Sequence, residues 1–202
     1  MLQTHNLSVH QGGAELWRSL NLSIGSAERL GIFAPSGYGK TTLGRVLAGW
    51  QRPSAGEVML DGEPLPASGY CPVQLVPQHP ERTFNPARTV GAALRDVWQP
   101  EEEWLEALSL HPRLLTRYPD EVSGGELARI ALLRALAPQT RYLIADEITA
   151  QLDPFIQAKV WRFLLEISDR RPLAMVVISH SRALLRNVCS RVWEPDSRAA
   201  AR

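Results

Sequence analysis

Over the first two dozen residues the apolar positions alternate with polar ones. Leu7 and Val9 are flanked by polar residues, Gly12 and Gly13 mark a turn, and Leu20, Leu22 and Ile24 alternate with Asn21 and Ser23. A period of two belongs to half-buried strands, so the pattern predicts a hairpin-rich antiparallel opening. From Arg29 to Phe33 a short apolar run enters Ala34-Pro35-Ser36-Gly37-Tyr38-Gly39, after which Leu43, Val46 and Leu47 recur at helical spacing across Lys40–Trp50. This reads as a strand, a glycine-rich turn and a helix. Pro53, Ser54, Gly56 and Gly62 then punctuate a short strand, Glu57–Leu60.

Between Pro80 and Pro119 the period changes. Strand-like runs vanish, and Val90–Trp98 and Glu101–Leu110 show helical spacing with Pro100 between them. Glu101, Glu102 and Glu103 put acid at a helix N-terminus, where the macrodipole favours it. Ser123-Gly124-Gly125 opens another helix, Glu126–Ala137, which is apolar on nearly every side apart from Arg129 and Arg134, and Pro138 ends it. Arg141–Ala145 and Leu173–Ile178 are apolar on both faces, as strands of a covered parallel sheet are, and the amphipathic helix Phe155–Ile167 lies between them. The prediction is an α/β fold. One domain, residues 1–202, has a mostly parallel sheet, an antiparallel N-terminal portion and a small helical lobe, about 80–137, inserted in the core; Ser197–Arg202 reads as a frayed tail.

Composition narrows the function. With 22 basic and 21 acidic residues the formal net charge is +1, which argues against a general nucleic-acid binder. Only Lys40 and Lys159 are lysines; the arginines are scattered and read as solvated charge. The longest purely apolar run, Leu173–Ile178, is far short of the roughly 20 residues a membrane helix needs, and no leader is expected. Cys71 and Cys189 read as reduced structural thiols. Trp50, Trp98, Trp104 and Trp161 are expected on helices, in core or lobe packing.

The chemistry concentrates in two places. Ala34–Thr41 has the phosphate-loop pattern, a Gly or Ala, four residues, then Gly-Lys-Ser/Thr, set between a strand and a helix. Gly37 and Gly39 let backbone N–H groups turn toward phosphate oxygens, and the helix N-terminus adds its positive end. Lys40 supplies a compact charge to the outer phosphates, and the Thr41 hydroxyl is a Mg²⁺ ligand. Ala34, Pro35, Ser36, Gly37, Tyr38, Gly39, Lys40, Thr41 and Thr42 are the candidate nucleotide contacts. Tyr142-Leu143-Ile144-Ala145-Asp146-Glu147 is an apolar strand ending in two carboxylates, at the sheet edge where ligands sit. Asp146 is suited to Mg²⁺ and Glu147 to polarising an attacking water.

Ser123-Gly124-Gly125-Glu126, about twenty residues before the acidic pair, resembles the signature motif of ATP-binding cassette (ABC) ATPases, and the other motifs of that family fall in order around it. Gln78 looks like the Q-loop glutamine, Ala150-Gln151-Leu152-Asp153 like the D-loop, and His180 like the switch histidine. The resemblance covers nearly the whole chain. It implies a P-loop NTPase core that binds and hydrolyses ATP with Mg²⁺, in which Gln78 contacts the metal and water and reports to the helical lobe. It also implies a head-to-tail dimer, homomeric or with another ABC ATPase. Ser123, Gly124, Gly125, Glu126 and Asp153 then meet the nucleotide of the opposite subunit. A second glycine-rich turn opening a helix agrees with this, because one chain has no obvious use for two anion sites around a single triphosphate.

Gln78-His79-Pro80, Phe84-Asn85-Pro86, Thr89-Val90 and Arg117-Tyr118-Pro119 resemble the branch serving dipeptide, oligopeptide and nickel importers. That branch implies a subunit on the cytoplasmic face of the membrane, docked through its lobe on a separate permease. Competing readings are a soluble cassette in a non-transport complex, such as phosphonate degradation, and a regulatory cassette that hydrolyses ATP poorly. The chain departs from the family in four places. His10 and Gln11 stand where many members stack an aromatic residue on adenine, and Trp17 lies too close to the next strand to be a confident substitute. Val122 replaces the usual Leu of the signature, Ala34 opens the phosphate loop, and the chain reaches Arg191-Val192-Trp193 and stops, as a minimal cassette completed by a partner or one weakened by missing strands.

Overall fold

The computed structural model describes residues 1–195, so the expected fraying of Ser197–Arg202 lies outside the described residues. In chain order the elements are β1 (Leu2–Gln11), β2 (Ala14–Ile24), β3 (Arg29–Ile32), α1 (Lys40–Leu47), β4 (Ala55–Leu60), β5 (Glu63–Pro64) and β6 (Val73–Val76). They continue with α2 (Val90–Arg95), α3 (Glu102–Ala107), α4 (Gly124–Ala135), β7 (Tyr142–Asp146), α5 (Pro154–Arg170), β8 (Ala174–Ile178), α6 (Arg182–Val188) and β9 (Arg191–Trp193).

Two sheets form, as the periodicities predict. The N-terminal hairpin joins β4 and β5 in an antiparallel sheet ordered β2-β1-β4-β5, and the apolar strands build a parallel sheet ordered β6-β7-β8-β3-β9. The alternation along β7 and β8 explains why both read as apolar throughout. Tyr142, Ile144, Val176 and Ile178 pack with α1 and the antiparallel sheet, while Leu143, Ala145, Met175 and Val177 pack on the opposite face with α4, α5 and the lobe. Because the parallel sheet is covered on both sides, its strands have no polar face. At Gly44 of α1 a Cβ would come within 3.3 Å of Ile144 and Ile178, so a small residue there lets the helix lie close on the sheet.

Helix α1 ends at Leu47, short of the predicted Trp50, because Gly49 turns the chain in the left-handed region at φ 74°. Trp50 therefore lies beyond the helix and is 53% exposed, which corrects the expectation that it packs in the core. The other three tryptophans do pack. Trp98, just past α2, donates its indole N–H to Leu133 O and meets Trp104 edge-on, and Trp104 meets Phe163 of α5 the same way. Trp161 is buried and donates to the Thr149 hydroxyl. The lobe helices are shorter than the periodic runs, since Leu110 N–H bonds back to Leu105 O and Ser109 takes φ 52°.

Arg129 and Arg134 are not surface charge. Arg129 is buried and donates to Gly125 O, Leu108 O and Ser109 O, while Arg134 donates to Thr83 and covers the Phe84 ring. Each is a multi-donor fork: Arg129 ties the first turn of α4 to the chain just past α3, and Arg134 ties α4 to the turn at Thr83. Arg171 likewise donates to Leu136 O and Ala137 O at the C-terminal end of α4, where a cation is favoured. Both cysteines are free, and burial pushes the Cys189 thiol up to about 12. Among the described residues no helix is long and apolar enough to cross a membrane.

Candidate active site

The carboxyl ends of β3, β7 and β8 open on a cleft of about 520 Å³. The loop from β3 into α1 forms its floor. Gly37 and Gly39 take φ 79° and 86°, a region in which a side chain is strained, and a Cβ at Gly39 would lie 3.0 Å from Leu16 and from the Trp17 indole nitrogen. Lys40 is only 6% exposed, and its Nζ donates to Ala34 O at 2.7 Å and Pro35 O at 2.9 Å. Burial pulls its pKa down, and the carboxylates of Glu147 and Asp146 hold it up. The ammonium has three donors, so one remains for an anion in the cleft. Thr42 donates to Gln11 Oε1 at 2.7 Å.

The strand-end carboxylates occupy different environments. Asp146 is 1% exposed, and neither side-chain oxygen has a hydrogen-bond partner that meets ordinary geometry. Burial raises its pKa, opposed by the adjacent Thr41 hydroxyl, and Glu147 raises it further. A buried carboxylate without partners is expensive unless a cation meets it. Glu147 instead turns out of the sheet at φ 52°, an uncommon conformation for a residue with a side chain, with its N–H donating to Ile178 O. Gln78 Nε2 donates to one of its carboxylate oxygens at 3.0 Å, and His180 Nε2 lies 2.7 Å from the other. Three segments remote in sequence thus meet at one carboxylate.

Ser36, Gly37, Gly39, Lys40, Thr41 and Thr42 line the cleft with Gln78, Glu147 and His180. Ala34 and Pro35 contribute through their carbonyls to Lys40, and Tyr38 packs its ring on Trp17. Ser123, Gly124, Gly125, Glu126 and Asp153 stand outside this cleft within the chain. Gly124 and Gly125 border a smaller crevice on the far side of Glu147. Ser123 and Glu126 form a capping box on α4: the Ser123 hydroxyl donates to Glu126 at 2.6 Å and holds that carboxyl below its usual range. Asp153 caps α5, accepting from the N–H groups of Phe155 and Ile156. Within this chain the Glu126 and Asp153 carboxylates accept from local donors at the starts of α4 and α5.

Gln11, which stands at the expected adenine-stacking position, lines the cleft at the hairpin end, where no Phe, Tyr or Trp among the described residues does so. Leu16 lines it too, a contact that no local pattern in the hairpin signals. Trp17 is 2% exposed, behind the loop, so it does not present its ring to the cleft.

Comparison with known proteins agrees with this geometry. The family described as ABC transporter matches residues 17–150. The nickel import ATP-binding protein NikE of Escherichia coli (strain K12) is 32% identical over 207 aligned residues, covering 93% of this chain and 77% of that protein. The oligopeptide transport ATP-binding protein AppF of Bacillus subtilis (strain 168) is also 32% identical, over 86% of this chain and 59% of its own length. Among solved structures, the dimeric post-hydrolysis state of the ATP-binding cassette MJ0796 bound to ADP and Pi superimposes with a TM-score of 0.82 at 23% identity, over 96% of this chain and 94% of that one. With the phosphate loop, acidic strand end and inserted lobe arranged as that fold requires, this chain belongs to the ABC transporter family, as one of its ATPase cassettes.

Proposed function

We propose that the chain is the ATP-binding and hydrolysing subunit of an ABC importer. It works on the cytoplasmic face of a membrane and drives uptake of peptide, nickel or a related small solute through a separate permease. The observation that carries the hydrolytic reading is Glu147 held between Gln78 and His180 at the cleft that Lys40 enters. The solute class is supported by the relatives that import nickel and transport oligopeptides, and by the segments around Gln78-His79-Pro80 and Phe84-Asn85-Pro86.

In this reading Lys40 and the backbone N–H groups of the phosphate loop hold the triphosphate, and Thr42 leaves Gln11 to join them. Thr41, Asp146 and Gln78 would hold Mg²⁺. The unpartnered oxygens of Asp146 fit that role, and Gln78, whose amide N–H faces Glu147, keeps its amide oxygen as an acceptor. The cation supplies charge neutralisation on the phosphate oxygens. Glu147 takes the proton of the attacking water, and His180 and Gln78 orient its carboxylate. Ser123, Gly124 and Gly125 act on the nucleotide of a second cassette, in a head-to-tail homodimer or heterodimer. Lys40→Ala is expected to lower ATP affinity roughly tenfold to a hundredfold, read by calorimetry, since a charge-assisted hydrogen bond is lost. Unchanged affinity would sink the phosphate-loop assignment.

In this reading the permease docks at a groove of about 420 Å³ lined by Arg45, Trp50, His79 and Arg82 beside Gln78. An exposed indole there suits an anchor, because aromatic side chains dominate such interfaces. The test is to read the genes that adjoin this one and to co-reconstitute the chain with any permease subunits they encode. ATPase stimulation by the permease supports the importer reading, and association with non-transport enzymes alone would overturn it. Trp50→Ala is expected to weaken that association by roughly tenfold or more, measured by pull-down titration.

A further inference from the structure

We propose that Trp17 is a positioning residue for the phosphate loop, its indole N–H holding the Gly39 carbonyl from behind and so aiming the Gly39–Lys40 peptide into the anion site. The bond from Nε1 to Gly39 O is 3.0 Å. It crosses from the antiparallel sheet to the loop of the parallel one, linking residues 22 apart in sequence. In a trans peptide the C=O and the N–H lie in one plane and point in opposite directions. With the Gly39 carbonyl fixed on the Trp17 side, the Lys40 N–H is directed the other way, toward the cleft.

The grip has a second point. Trp17 meets the Tyr38 ring edge-on at 5.3 Å and lies against Trp193 at 5.6 Å. Trp193 is itself tied to the entrance of the loop, since Phe33 N–H donates to its carbonyl at 3.0 Å. The indole therefore touches two consecutive loop residues, Tyr38 through a ring contact and Gly39 through its nitrogen. Gly39 has no side chain with which to cap α1, and its left-handed φ of 86° gives it no steric preference for one turn geometry. The Gly39 carbonyl accepts the first bond of α1 from the Leu43 N–H at 2.8 Å, and the Trp17 indole adds a second donor from outside the helix. At 2% exposure Trp17 does this without contacting a ligand.

This inference rests on the cleft being a phosphate site, and the experiment separates the two. Trp17→Phe keeps a ring in the stack and removes the N–H. Affinities for ATP and for inorganic triphosphate, both with Mg²⁺, are measured by calorimetry on the wild-type chain and the variant. A positioning role predicts that both ligands weaken by the same factor, roughly three- to tenfold. Equal affinity in the variant overturns the proposal, as does a loss confined to ATP, which would mean that Trp17 acts on the base. Failure of the wild-type chain to bind either ligand would instead overturn the phosphate-site reading. Should the variant not fold, the ¹⁵N-indole signal of Trp17 in the wild-type chain decides: a shift on adding inorganic triphosphate supports the contact, and an unmoved signal overturns it.

Discussion

Glu147→Gln is expected to lower kcat by about 10²- to 10⁴-fold while leaving ATP affinity close to that of the parent, because it removes a proton acceptor and little else. The amide is nearly isosteric with the carboxylate. Its oxygen still accepts the 3.0 Å bond from Gln78, and its nitrogen can face His180 if the ring presents an acceptor. The left-handed backbone at Glu147 and its N–H bond to Ile178 O do not depend on the side-chain charge. The phosphate loop, which carries the binding energy in the proposed mechanism, is untouched. A variant that binds and does not hydrolyse would hold two cassettes together around ATP, so light scattering should show a dimer that the parent forms only transiently. Single-turnover hydrolysis and calorimetry on one preparation check the two halves. Parent-like turnover would remove Glu147 from the role of general base and move attention to His180.

The dependence on Glu147 illustrates what the sequence reveals and what it hides. The phosphate loop is legible because its chemistry is contiguous: the glycines, Lys40 and Thr41 act within one turn, and spacing alone specifies them. The apolar strand ending in Asp146-Glu147 is legible for the same reason. Gln78 and His180 are ordinary polar residues at strand ends, and only the order of motifs along the chain singles them out. Their convergence on Glu147 is a property of the sheet order β6-β7-β8, which places the ends of three strands side by side.

The fold divides along the same line. Period-two alternation gave the antiparallel hairpin, and the runs Arg141–Ala145 and Leu173–Ile178 gave the covered strands, because burial on one face or two leaves a direct mark on the pattern. Helix ends were less legible. Leu43, Val46 and Leu47 mark the buried side of α1, but nothing apolar marks its end, so the pattern runs on past the turn at Gly49 and puts Trp50 in packing. Arg129, Arg134 and Arg171 show a further blind spot. An arginine reads as solvated charge, whereas here each is at least partly buried and donates to carbonyls 4 to 51 residues away. Trp17 belongs with them, since a hydrogen bond between two sheets has no periodic signature.

Asp146→Asn is expected to act in opposite directions on stability and on turnover. The Asp146 carboxylate is buried with the Thr41 hydroxyl beside it and no hydrogen bond of ordinary geometry, and an ionised group in that position opposes folding. Its pKa is raised above the ordinary 3.8, chiefly by burial. A carboxyl with a raised folded pKa stabilises the fold below its unfolded pKa, and that contribution is lost as pH rises through the folded value. At neutral pH the wild-type chain carries this deficit, and a neutral amide does not. The variant should therefore melt at a higher temperature than the parent at neutral pH, and the difference should shrink as pH is lowered through the raised Asp146 pKa toward 3.8. Turnover should move the other way. Loss of a cation ligand worth several kcal/mol in the transition state corresponds to a fall in kcat/KM on the order of a thousandfold. Calorimetric melting across a pH series and steady-state ATPase assays with Mg²⁺ measure the two effects independently. A variant that melts below the parent at neutral pH would show that the Asp146 carboxylate is already satisfied by the protein. Parent-like turnover would show that the cation is held without it.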